Sequence, residues 1–223
     1  MTQVTQAPKS PYDFTHNWFG GDADSGGMVA DIPKIWQNLF SKLKPTTFLE
    51  IGSFEGRSAC FVIDEQAKIS PISLVCVDTW GGSQEHDAIS MGEVEARFDK
   101  NIATAIENAP QTVTFRKIKS PSVDATARLL TEGKKEFFDF IYVDGSHNAK
   151  DVLADLVMSF PLLRIGGIIV ADDYFWDHGQ QRYGDSLRNP KPGIDAFYNT
   201  YANQLLGLPG LPAYQCYMVK TSN

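Results

Sequence analysis

From Asp31 onward, apolar side chains recur at helical spacing: Ile32, Ile35, Trp36, Leu39, Phe40 and Leu43 share one face, with Asp31 placed to cap the start and Pro33 in the first turn. The spacing predicts an amphipathic helix. A short, nearly continuous apolar run, "TTFLEIG", then reads as a strand, and the alternation repeats to the end of the chain. Helices are predicted from about Gly56, over 93–108, in "SVDATARLL", over 149–163 and over 194–205. Strands are predicted in "SLVCVDTW", "VTFRKIKS", "FFDFIYVD", "GGIIVADD" and "YQCYMVKT". Strands that are apolar along their whole length must be covered on both faces, so the pattern predicts a doubly wound α/β fold around a mostly parallel sheet. Residues 1–27 break the pattern. They are polar and rich in Gly, Pro and Asp, and read as a mobile N-terminal arm or lid ahead of one domain over 28–223.

Composition narrows the class of partner. The 223 residues carry a formal charge of −7, which argues against nucleic acid and against an anionic membrane surface, since both need clustered Lys and Arg. The longest basic run, "RKIK" from Arg116, belongs to a predicted strand. No apolar run approaches the roughly 18–20 residues of a membrane span, and "MTQVTQAPKS" has no signal-peptide pattern, so a cytoplasmic protein is expected. Cys60, Cys76 and Cys216 lie far apart in apolar stretches and read as buried free thiols. "DADSGG" resembles the start of a calcium loop, but Pro33 stands where the bidentate Glu is needed.

In doubly wound sheets the ligand lies beyond the carboxyl ends of the strands, so polar residues there are the candidate site. The first strand runs into "LEIGSFEGRS", where glycines let the backbone approach a ligand and the helix start offers free N–H groups. This is not the Gly-x-Gly-x-x-Gly of dinucleotide binders. Glu50 would repel a pyrophosphate and attract an ammonium or sulfonium. Asp78, ending the second strand, is placed to accept hydrogen bonds from a ribose. "GGIIVADDYFW" raises a harder question, because the adjacent carboxylates of Asp172 and Asp173 repel by roughly 1 to 4 kcal/mol unless something offsets them.

"FLEIGSFEGRS", "CVDTWGGSQEH", "YVDGSHNAKDVLADL" and "PLLRIGGIIVADDY" together resemble a class I S-adenosylmethionine-dependent methyltransferase, closest to bacterial methyltransferase family 24. The likeness covers about residues 46–174. It implies a Rossmann-like, seven-stranded sheet with an antiparallel last strand. It also implies that Glu50, Gly52, Ser53, Gly56 and Ser58 cradle the methionine part of S-adenosylmethionine, that Asp78 holds the ribose, and that Ser120 lies near the adenine. Trp80 would either cover the adenine or pack in its loop.

Asp144 ends the strand beside the one ending in Asp172 and Asp173, about 4.8 Å away at ordinary strand spacing, so the three carboxylates should converge and call for a cation. Catechol-type O-methyltransferases, which the pattern resembles, bind magnesium with such a set. By that resemblance Asp144, Asp172 and Asp173 would hold a divalent cation, magnesium first. Both members of the pair can reach one ion only if the chain turns at Asp173. Otherwise Asp172 binds no ion and Asp173 caps a loop. His147, three residues after Asp144, stands where those enzymes carry a basic lysine and is the candidate general base, with Asp144 as its catalytic companion. In related sugar-modifying methyltransferases an Asp base lies two residues after the first ligand, and Ser146 holds that position here.

The expected reaction is metal-assisted O-methylation of a small-molecule hydroxyl, of sugar or natural-product type. The acceptor pocket would draw on Trp176, His178, Arg182 and Tyr183, with His16 and Trp18 of the arm. A metal-independent methyltransferase and a non-catalytic S-adenosylmethionine-binding protein are the alternatives. The expected partner is the small-molecule acceptor, and a homodimer is left open as the assembly.

Overall fold

A computed structural model describes residues 10–16, 19, 31–82, 90–176 and 187–223. The first helix, α1 (Ile32–Leu43), begins where the Asp31 carboxylate accepts the Lys34 amide at 3.2 Å. Its apolar face is buried through Trp36 and Phe40. Strands β1 (Thr47–Ile51), β2 (Ile72–Asp78), β3 (Val113–Lys119), β4 (Phe138–Val143) and β5 (Leu163–Ala171) alternate with α2 (Arg57–Gln66), α3 (Met91–Asn108), α4 (Ser122–Thr131) and α5 (Ala149–Ser159). A helix α6 (Pro190–Thr200) and the antiparallel pair β6 (Leu205–Gly207) and β7 (Cys216–Lys220) complete the sheet.

Two boundaries differ from the periodicity. The last helix starts earlier and stops sooner than 194–205, because Asn189 caps it through the Lys191 amide at 2.8 Å. After it, Leu205 leaves the helical pattern to pair with Lys220 in β7. Three apolar residues cannot announce a strand by alternation, so β6 was not legible. The helix expected over 149–163 ends at Ser159, in front of Pro161, and Leu163 already belongs to β5.

The strand order is β3-β2-β1-β4-β5-β7-β6, with β1 to β5 parallel and β7 antiparallel to both neighbours. Order reverses between β1 and β4, which opens a crevice at their carboxyl ends. Register fixes what reaches it: Ile51 lies level with Val77 and Val143, and Val143 level with Ala171. The next residues, Gly52, Asp78, Asp144 and Asp172, therefore emerge on one rim.

Side chains alternate between two cores. One, around Trp36, Phe40, Phe98, Phe140 and Tyr142, lies under α1 to α3, and Trp36 meets Phe140 and Tyr142 edge-on at 4.9 and 4.8 Å. The other, with Ile51, Ile141, Val143, Leu156 and Phe197, lies under α4 to α6. The arm expected over 1–27 is described at residues 10–16 and at Phe19. Phe19 is buried against Trp36 at 4.9 Å between ring centroids, and residues 12–16 are hydrogen-bonded to α2, α3 and the loop between β1 and α2.

Gly52 has a φ of 82°, and a Cβ built there would lie 1.8 Å from the carbonyl oxygen of Asp144. Gly52→Ala is expected to cost about 3 kcal/mol or more, because backbone faces backbone and neither can yield cheaply. Thermal or urea unfolding of that variant checks it; a wild-type midpoint would contradict the account.

Candidate active site

The β1–α2 loop turns through three left-handed residues, Gly52 at 82°, Phe54 at 47° and Gly56 at 81°. For a bulky Phe that conformation costs on the order of 1–3 kcal/mol and persists only where neighbours impose it. Asp78 does so. One of its carboxylate oxygens accepts the Ser53 and Phe54 amides at 2.8 and 3.0 Å, and the other accepts the Trp80 amide at 2.7 Å. The oxygen that takes only the Trp80 amide, Oδ1, has a second lone pair to offer a further donor. Trp80 completes the clamp by donating its indole N–H to the Phe54 carbonyl at 3.0 Å.

Trp80 itself packs in its loop. Its ring is buried, packs on Phe98 at 4.7 Å between centroids and carries the Lys117 ammonium 4.4 Å above it. Both glycines of this loop are also needed by their packing. Gly52 is required by the Asp144 carbonyl and Gly56 by the Phe98 ring, 2.9 Å from where its Cβ would stand. Ser120 donates its amide to the Asp78 carbonyl at 3.0 Å and lines an outward cavity of about 360 Å³ with Lys119, Asp124 and Arg128.

Beneath the loop, Glu50 is buried, and Ser58 Oγ donates to its Oε2 at 2.8 Å. Among the described residues, Glu50 Oε1 and Ser53 Oγ are buried without a hydrogen-bond partner. Burial pushes the Glu50 carboxyl up to about 7. A buried acid with a spare oxygen below an ordered loop suits the positively charged methionine end of S-adenosylmethionine, whose ammonium and sulfonium would offset that burial. The residues present fit the cofactor.

The paired carboxylates part company. Asp172 continues the alternation of β5 and faces the Trp36 core. There Tyr142 and Gln215 Nε2, the latter at 2.7 Å, donate to its Oδ2, and the Asp173 amide donates to Oδ1 at 2.7 Å. Asp173 leaves the strand with a φ of 59°, so the chain does turn there, and its Oδ2 lies 2.7 Å from His147 Nε2. The His147 ring stacks on Trp176, 4.0 Å between centroids and 28° between planes. Donor atoms of Asp144, His147 and Asp173 all lie within 4.8 Å of one another.

Among the described residues, the imidazole of His147 stands with Asp144 and Asp173 in this cluster, and the Asp172 carboxylate of the expected trio lies outside it. The reason is strand parity, which turns the Asp172 carboxylate into the protein, where Gln215 and Tyr142 hold it. An all-oxygen set would favour magnesium, whereas two carboxylates with an imidazole suit a transition metal such as manganese, iron or zinc, so the residues present also fit a divalent cation.

Tyr142 links the two halves of the site. Its hydroxyl lies against Asp172 Oδ2 and, at 2.9 Å, Asp144 Oδ2. A hydroxyl donates one proton, so two ionised carboxylates cannot both be satisfied by it. Burial, followed by repulsion between neighbouring carboxylates, accordingly pushes Asp144 and Asp172 well above the usual carboxylate range. Tyr142 and Gln215 were missed in the sequence. The parity of β4, which places Tyr142 on the face of Asp144, was the available signal for the first. Trp18, His178, Arg182 and Tyr183 lie outside the described residues, whereas His16 stands with its ring edge-on to Phe54 at 5.5 Å.

No helix among the described residues is long and apolar enough to cross a membrane. No curated protein matches the chain. Solved structures do. An O-methyltransferase of Bacillus cereus, in complex with SAH, is 22% identical over 84% of this chain and 80% of its own, with a TM-score of 0.57. The O-methyltransferase TomG of Streptomyces achromogenes, involved in tomaymycin synthesis and solved with SAM, is 17% identical over 87% and 82%, with a TM-score of 0.60. CalS11, a TDP-rhamnose 3'-O-methyltransferase of calicheamicin biosynthesis, is 17% identical over 85% and 79%, with a TM-score of 0.55. At these identities the likeness is one of fold. The methyltransferase-domain family model matches residues 49–174, from β1 to the turn after Asp173, and so spans both the clamped loop and the acidic cluster. The chain belongs to that family, methyltransferase family 24, and is a class I S-adenosylmethionine-dependent methyltransferase.

Proposed function

We propose that this enzyme methylates a hydroxyl oxygen of a small molecule, of sugar or natural-product type, with the help of a divalent cation. The observation that carries the reading is the cluster of Asp144, His147 and Asp173 on the rim of β4 and β5, next to the loop that fits the cofactor. The names of the similar structures, O-methyltransferases of antibiotic pathways among them, support oxygen as the atom methylated.

S-adenosylmethionine supplies a methyl group activated on sulfonium, and a divalent cation held by Asp144, His147 and Asp173 would lower the pKa of a nearby hydroxyl. The chain's own work is positioning and proton handling. Glu50, Ser53 and Ser58 hold the cationic end of the cofactor, and the Asp78 clamp keeps their loop ordered. In the absence of a cation, Asp173 orients the His147 ring through Nε2, and the imidazole with its surrounding carboxylates takes up the hydroxyl proton. That metal-independent course is the second reading, favoured by the direct 2.7 Å contact between His147 and Asp173. Asp172 stays out of the chemistry in both.

Incubation with S-adenosylmethionine and a panel of sugar and aryl hydroxyl compounds, with mass-spectrometric detection of products, tests the oxygen assignment. Methylation of amines or thiols alone would refute it. Magnesium or manganese is expected to raise the melting temperature, and Asp144→Asn or His147→Ala to abolish that rise, whereas Asp172→Asn keeps it. Activity that survives complete chelation decides for the metal-independent course. His147→Ala should then lower turnover by about 10²–10⁴-fold.

The Glu50 carboxyl makes a separate prediction. Its folded value of about 7 lies above the ordinary 4.5, so between those pH values the folded chain keeps a proton that the unfolded chain has released. Stability of the cofactor-free protein therefore falls as pH rises through this window, and the loss is complete above about pH 7. Glu50→Gln should flatten that slope, melt higher than wild type above the window, and bind S-adenosylhomocysteine more weakly. Melting curves across pH, paired with calorimetry, check both halves; a variant less stable than wild type at high pH would contradict the first.

A further inference from the structure

The β1–α2 loop is gripped from two sides, and Asp78 with Trp80 accounts for only one. On the other side stands Glu55, a carboxylate only 2% exposed, between the left-handed Phe54 and Gly56. Its Oε1 accepts the Thr15 hydroxyl at 2.5 Å and Arg97 Nε at 2.6 Å, and its Oε2 accepts the Thr15 amide at 2.8 Å. Burial alone would push this carboxyl up, but Thr15 and Arg97 outweigh it and hold it below its ordinary value. The group is a buried, paired anion, and such anions are costly unless their partners stay in place.

Asn101, 1% exposed on α3, joins the same three parts of the chain. Its Oδ1 accepts the Asp13 amide at 2.7 Å, and its Nδ2 donates to the carbonyls of Asp13 at 3.3 Å and Glu55 at 3.0 Å. Farther along, Arg57 at the first turn of α2 donates to the His16 carbonyl at 3.0 Å and lies 4.6 Å over the Phe14 ring. Residues 13–16 thus cross the outside of the loop, and their contacts with Glu55, Arg57 and Asn101 tie them to the loop and to the helices that follow and brace it.

We propose that Glu55 is a positioning residue for the cofactor: its carboxylate latches residues 13–16 and Arg97 onto the β1–α2 loop and so keeps Ser53, Phe54 and Gly56 in the shape that receives the methionine end of S-adenosylmethionine. The proposal rests on the assignment of that loop to the cofactor. Without the carboxylate the left-handed turns at Phe54 and Gly56 keep the Asp78 clamp and the Asn101 bond to the Glu55 carbonyl but lose their ties to Thr15 and Arg97, and the loop opens more often. Binding then has to reorder it, and affinity falls by the cost of doing so.

The test compares three variants with wild type by calorimetric titration with S-adenosylhomocysteine and by hydrogen exchange of the cofactor-free protein over residues 52–58. Glu55→Gln is expected to raise the dissociation constant about tenfold, and Thr15→Val, which removes one hydroxyl donor, about threefold. Both should speed exchange in the loop. Lys100→Ala removes the exposed pair with Asp13, whose side chains are 65% and 50% exposed, and should change neither. A role in global stability alone would lower the melting temperature and leave the dissociation constant where it was. The latch is overturned if a folded Glu55→Gln binds and exchanges like wild type, or if Lys100→Ala shifts both readouts as far. Should Glu55→Gln fail to fold, Thr15→Val decides by the same criteria. Wild-type protein that fails to bind S-adenosylhomocysteine overturns the cofactor assignment of the loop, a result distinct from loop exchange that the variants leave unchanged.

Discussion

Where β1 and β4 part, the backbone of Gly52 lies so close to the Asp144 carbonyl that no side chain fits between them. That contact is continuous with the ladder, since the Asp144 amide donates to the Ile51 carbonyl at 2.8 Å and the Gly52 amide to that of Val77 at 2.9 Å. Three strand ends are thereby tied at one point. The loop that fits the cofactor starts on one side of it and the carboxylate of Asp144 on the other, so the separation between that loop and the acidic cluster is set by backbone rather than by flexible side chains. Precision of this kind is what a displacement reaction between two bound groups requires.

Around this junction the chain gathers more negative charge than it can satisfy by itself. Glu50 sits beneath the loop with an oxygen to spare, Asp78 is spent on backbone amides, and Asp144 and Asp172 compete for the one proton of Tyr142. The raised carboxyls are the cost of excluding water from the crevice. A cationic cofactor and a divalent ion would relieve it, and both would bind where the protein is otherwise least comfortable. Stability given up in the free protein is the same free energy that favours these ligands.

Much of the fold could be read from the order of elements. The helical spacing around Trp36, the continuous apolar runs of β1, β2, β4 and β5, and the polar residues that end them need only local periodicity. Strand β6 could not be read, because three residues pair only once β7 is beside them. The docking of residues 13–16 escaped for a different reason. Beside the Thr15 hydroxyl they are held by their own amides and carbonyls against Asn101, Glu55 and Arg57, and backbone bonds leave no pattern in the choice of side chains.

The doubled carboxylate after β5 shows where the division falls. The sequence by itself determined that Asp144, Asp172 and Asp173 would stand at strand ends, because strand ends follow from periodicity, and the family resemblance implied that their strands are neighbours. Only the tertiary structure decided which of them share a site. Asp173 turns through a left-handed residue to meet His147, while Asp172 keeps the strand's parity and goes to Tyr142 and Gln215, a partner 43 residues away. Direction at a strand end depends on one dihedral and on what packs beneath it, and neither is a property of the residue's own neighbours in the chain.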